Sequence, residues 1–120
     1  MTRTRASARA AGSRFERTIA DALAAHVDDR IDRRVKTGNK DRGDIGGLRH
    51  MTQRVVIEGK DVARLNLGGW VIEADLERGH DDAVAGLVVH KRRGTSDPLV
   101  QYVTCTLRDL IALLTGERPA

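Results

Sequence analysis

The segment Val55–Lys60, VVIEGK, constrains this chain more than any other. Three consecutive β-branched residues have the composition of an interior strand, and they run directly into an acid, a glycine and an amine. In an extended strand, side chains two apart share a face. Val56, Glu58 and Lys60 therefore lie on one side, and Val55, Ile57 and Gly59 on the other. Glu58 and Lys60 leave the sheet together where the interior strand ends. Burying such charges is costly unless they are paired or have work to do. A cross-strand ion pair is the bland alternative, but such pairs belong to exposed faces.

The rest of the chain supplies the elements to surround that strand. SRFERTIADALAAHV carries Phe15, Ile19, Leu23 and Val27 at helical spacing, and Ser13-x-x-Glu16 has the form of a capping box. The preceding residues, 1–12, are small and basic without a pattern, and are expected to form a flexible arm. IDRRVKTG reads as a short strand entering a polar loop. DIGGLRH and QRVVIEGK read as two strands joined by a tight turn at His50–Thr52. A helix with Leu65, Trp70, Val71, Ala74 and Leu76 follows, weakened by Gly68-Gly69. Two strands, DAVAGLVVHKRRG and DPLVQYVTCTL, come next. Thr106-x-x-Asp109 then opens a last helix that Gly116 stops. The expected order is α-β-β-β-α-β-β-α in one domain over residues 13–120. The fold class is α/β, a central mixed sheet flanked by helices.

Composition narrows the function. Aromatic residues are 2% of the 120, which argues against a sheet or barrel that stacks bases. A net charge of +4 is consistent with a polyanionic partner. One cysteine, Cys105, leaves no disulfide and no thiolate cluster for zinc. No run has the length of a membrane span and the basic start lacks an apolar signal segment, so a cytoplasmic protein is expected, with no membrane partner.

Asp44 opens the strand before VVIEGK, and a hairpin would bring it beside Glu58, register permitting. Paired carboxylates suit a hard divalent cation such as Mg2+, with Mn2+ as a substitute. Such an ion acidifies water and screens phosphate charge. Lys60 beside it would orient the water and offset charge on the phosphorus oxygens. Gly59 leaves its carbonyl open as a further ligand.

Gly43-Asp44 followed by Ile57-Glu58-Gly59-Lys60-Asp61, with a helix carrying Glu16, resembles the PD-(D/E)XK nuclease signature. SRFERTIADAL is similar to the helix start of archaeal-type Holliday junction resolvases and their phage-encoded relatives. The resemblance covers roughly residues 13–93. It implies a restriction-endonuclease-like core, metal ligands at Glu16, Asp44 and Glu58, and Lys60 assisting the attacking water. Thr37 falls where that group keeps a loop serine near the cleaved strand. Gly43 in place of proline, Gly59 in place of a Cys or aliphatic residue, and Thr37 in place of serine are departures; none removes a ligand. The implied activity is Mg2+-dependent DNA endonuclease, most specifically resolution of four-way junctions by a homodimer, in a bacterial or phage-infected cell. A nuclease for another DNA substrate, of restriction or repair type, and a non-catalytic DNA-binding module of the same fold are the alternatives.

Phosphate contacts are expected from Arg14, from Lys36, Lys40 and Arg42 in the loop before Asp44, and from Lys91, Arg92 and Arg93. Glu16 has a purely structural alternative as the capping-box acid.

Overall fold

The structure, a computed structural model, describes residues 3–35 and 40–120. The elements are α1 (Arg5–His26), β1 (Asp32–Arg33), β2 (Ile45–Gly46), β3 (Arg49–His50), β4 (Gln53–Lys60), α2 (Leu67–His80), β5 (Ala85–His90), β6 (Tyr102–Thr104) and α3 (Leu107–Thr115). Among the described residues they form one α/β unit with a mixed sheet in the order β1-β2-β4-β5-β6, and β3 pairing β4 as a short side branch.

The first helix starts well before the expected Ser13. Thr4 caps it, its hydroxyl accepting from the Ser7 amide at 3.1 Å. Residues Arg5–Gly12, expected to be a flexible arm, are thus helical. Alanine and arginine, which dominate that stretch, are strong helix formers, and no proline interrupts them. Ser13 and Glu16 lie in the helix interior, so the capping-box reading of Glu16 is corrected. Ala11, Phe15, Ile19 and Ala20 form the buried stripe, and all but Ala11 join Ile31, Ile45, Ile57 and Val89 in one core cluster.

VVIEGK is the interior strand its composition implied. β4 pairs with β2 and β3 antiparallel and with β5 parallel, and Val55 to Glu58 are all buried. Parallel pairing requires a crossover, and α2 supplies it. Trp70 and Ala74 of α2 pack on Val88. Gly86 permits this close approach: a Cβ there would stand 2.7 Å from the Ala74 carbonyl oxygen. His90 is buried, its Nε2 bonded to the Thr104 hydroxyl at 2.8 Å and its ring tilted against Trp70 and Tyr102.

The last helix follows its sequence signals. Thr106 and Asp109 exchange both capping-box bonds, and the helix closes at Gly116 in the left-handed conformation. Asp109 also ties this helix to the sheet. Its Oδ1 accepts from the Gly86 amide at 3.2 Å and from Arg118 at 2.6 Å. No helix among the described residues is long and apolar enough to cross a membrane.

Candidate active site at the end of the central strand

Hairpin register decides whether Asp44 meets Glu58, and it brings them together. Ile45 stands opposite Ile57, and the Asp44 amide donates to the Ile57 carbonyl at 2.9 Å. One step along, Asp44 reaches the end of β4, where its Oδ2 accepts from the Gly59 amide at 2.8 Å. The sharp entry depends on Gly43, at φ +93°, where a Cβ would stand 2.7 Å from Val56 Cγ1. Gly59 thus enters the site through its N–H, which orients the first carboxylate.

Glu58 and Lys60 emerge on the same face. Lys60 Nζ lies 3.7 Å from Glu58 Oε1 and 3.0 Å from Glu73 Oε1 on α2. Burial works against the charge on Lys60, but Glu73, Glu58 and Asp44 outweigh it and hold the ammonium above its usual pKa. Lys60 is a fixed cation here, not a neutral base.

Asp44 and Glu58 are each 4% exposed, and Glu77 of α2, 1% exposed, lies against Glu58. Burial, then the facing carboxyls of Glu77 and Asp44, pushes the Glu58 pKa strongly up. Burial also raises Glu77, to about 7, with Asp41, Glu73 and Asp44 adding to the rise and Glu58 opposing it. Glu58 Oε2 and both oxygens of Glu77 are buried without a hydrogen-bond partner. Oxygens of Asp41, Glu58 and Glu77 lie within 4.8 Å of one another. Two buried carboxyls, Glu58 and Glu77, and the half-buried Asp41 held together in this way suit a hard cation; the donor set fits one.

The other expected residues have diverse placements. Glu16 sits beside Gly59, its Cγ 3.5 Å from where a Cβ would stand, and pairs with Arg33 at 3.3 Å. Like Asp44, it is not among the three acids whose oxygens cluster. Thr37 and Lys36 lie outside the described residues. Lys40 and Arg42 are exposed on the segment leading to Asp44. Arg14 is exposed on α1 and borders a cleft with Lys91.

The basic cluster after β5 is largely engaged within the chain. Lys91 Nζ donates to the Thr95 carbonyl, and the Arg92 guanidinium stands over the Tyr102 ring, 5.6 Å from its centre. Arg93 pairs with Asp61 at 3.0 Å. A groove lined by charges of both signs adjoins the site, with Arg33 paired to Glu16 and Arg34 to Asp81. This open groove of about 980 Å³ runs between α1 and β1, bordered by Arg9, Ser13, Glu16, Arg33, Arg34 and Asp44.

Sequence reasoning missed Asp41, Glu73, Glu77 and the groove arginines. Glu77 had a signal: it falls three after Ala74 and seven after Trp70, on the buried stripe of its helix. No family model, curated protein or solved structure matches this chain.

Proposed function

We propose that the chain is a metal-dependent DNA endonuclease with a restriction-endonuclease-like core, and that its substrate is branched DNA of the four-way type. The observation that carries this reading is the meeting of Asp44, Glu58 and Lys60 at one end of β4. A strand whose interior is wholly apolar ends there in buried carboxylates and a clamped ammonium, a costly arrangement for stability alone.

Asp44 and Glu58 would hold Mg2+, which supplies charge to screen a phosphodiester and to acidify water. The fit rests on the buried, unbonded Glu58 Oε2. The chain's own residues do the remaining work. The Gly59 amide fixes the Asp44 carboxylate. Lys60, kept protonated by Glu73, is placed to offset negative charge growing on the phosphorus oxygens and to orient an attacking water. Arg9 along the groove beside Asp44 supplies a sequence-independent phosphate contact, with Arg14, Lys40 and Arg42 farther out.

Two symmetric cuts in a four-way junction call for a two-fold dimer. Supporting that reading, the edge strand β6 and the helix after it carry the exposed apolar side chains Tyr102, Val103, Leu107, Leu110 and Leu114. The test is a panel of duplex, nicked, flap and four-way DNAs incubated with the full chain and Mg2+. Paired nicks across the four-way substrate are the expected result. Preference for another member of the panel would move the assignment to a restriction or repair nuclease. Binding without cleavage, in Mn2+ as well, would reduce it to a DNA-binding module.

A further inference from the structure

We infer that Glu77 of α2 and Asp41 of the loop before Gly43 complete the cation position at Glu58, in the place where the family resemblance puts Glu16. The inference deepens the nuclease reading and rests on it only for the purpose the ion serves.

The three carboxylates come from three separate parts of the fold. Glu58 is fixed by the β4 ladder, paired with Val88 of β5. Glu77 is carried on the face of α2 that contains Ala74 and is pressed against Gly86. Asp41 is held by two bonds: its Oδ1 accepts from the Gly43 amide at 2.9 Å, and its carbonyl accepts from His80 Nδ1 at 2.7 Å. The loop is thereby tied to the end of the helix that bears Glu77.

An acidic cluster alone would say little. Here Glu77 is 1% exposed, and neither of its oxygens meets an N–H or hydroxyl donor; the polar group facing it is the carboxyl of Glu58. Native interiors rarely leave a carboxylate so. Oxygens that share one octahedral Mg2+ at about 2.1 Å lie no more than about 4.2 Å apart. The observed separation, within 4.8 Å, needs only a small closure to meet that limit. A hard divalent ion with water in its remaining positions matches this all-oxygen set; a soft metal would want sulfur or imidazole. Glu16, by contrast, faces the groove and pairs with Arg33.

The test titrates Mn2+ alone into the full chain by calorimetry, alongside the variants Glu77→Gln, Asp41→Asn and Glu16→Gln. Thermal melts in chelator check that each variant folds. Glu77→Gln is expected to weaken Mn2+ binding by at least about tenfold, and Asp41→Asn to weaken it in the same direction. Glu16→Gln is expected to stay within about twofold, since its carboxylate is outside the set. Wild-type affinity in a folded Glu77→Gln variant would overturn the proposal. So would loss of binding in Glu16→Gln alone. The four-way DNA assay on the same samples separates the two readings. Mn2+ held through Glu77 without any cleavage would sustain the cation site and sink the nuclease.

Discussion

Lys60 and Glu73 form a two-pronged contact, Nζ lying 3.0 and 3.1 Å from the two carboxylate oxygens. The amine at the end of the central strand is therefore held by the crossover helix as well as by its own strand. In the proposed mechanism the charge on Lys60 is the useful property, so Lys60→Ala should lower cleavage by about a hundredfold or more. Glu73→Gln keeps one hydrogen-bond acceptor and should cost less than about tenfold, because Glu58 still faces the ammonium. Single-turnover cleavage of a synthetic four-way DNA measures both. Equal losses in the two variants would mean that Glu73 belongs to the reacting centre.

Asp44 separates charge from scaffold. The side-chain amide introduced by Asp44→Asn still offers an oxygen to the Gly59 N–H, so this variant should melt within a few degrees of the parent. It removes a negative charge next to Glu58, and cleavage should fall by about a hundredfold or more. A variant that cuts normally would remove Asp44 from the mechanism.

Metal-free stability should depend on pH in an unusual direction. The folded-state pKa of Glu77 is raised from 4.5 to about 7, so the folded chain binds a proton more tightly than the unfolded chain does. Its contribution to stability is complete below about pH 4.5 and disappears as pH rises towards about 7. Glu58, displaced the same way, adds to the decline. Urea unfolding in chelator across this interval should show falling stability, and saturating Mg2+ should flatten the slope. A rise with pH in chelator would show that another group dominates.

Gly86→Ala tests the seating of α2. The new methyl would stand 2.7 Å from the Ala74 carbonyl oxygen and 3.3 Å from Arg78 Cβ, so the helix must move. A loss of about 1–3 kcal/mol in unfolding free energy is expected, together with weaker cation binding as Glu77 shifts. Unchanged stability would mean that the layer spacing is looser than these distances require.

The leucines of α3 test self-association. Leu107 and Leu114 are 70% and 72% exposed on the helix that follows β6, the edge strand of the sheet among the described residues. Sedimentation should find the parent chain dimeric and the double variant Leu107→Glu, Leu114→Glu monomeric. A parent monomer would weaken the junction assignment and leave the nuclease untouched.

Much of this arrangement was legible in the sequence for local reasons. A two-residue period put Glu58 and Lys60 on one face, and Thr106, Asp109 and Gly116 marked the last helix through bonds made within a few residues. The first helix was misplaced because Ser13-x-x-Glu16 imitates a start signal inside a helix, while Thr4, the real cap, precedes a stretch that looked merely basic. Asp41 and Glu77 were missed for another reason. Their meeting with Glu58 depends on how far α2 sits from the sheet and where the Asp41 loop crosses it. Those are distances between layers, which no periodicity encodes. The cluster after β5 also has partners within the chain, Asp61 for Arg93 and the Thr95 carbonyl for Lys91, that a linear reading does not bring near.

Gly86 has no functional group, and its amide donates to Asp109 of the last helix. Gly86 nonetheless sets where Ala74 rests, and with it the carboxylate one turn further along α2. A genetic screen scored on cut DNA should therefore return hits along this line together with the acids themselves. The mutationally sensitive region would be wider than the chemically reactive one, and a count of null alleles would overstate how many side chains ever approach a phosphate.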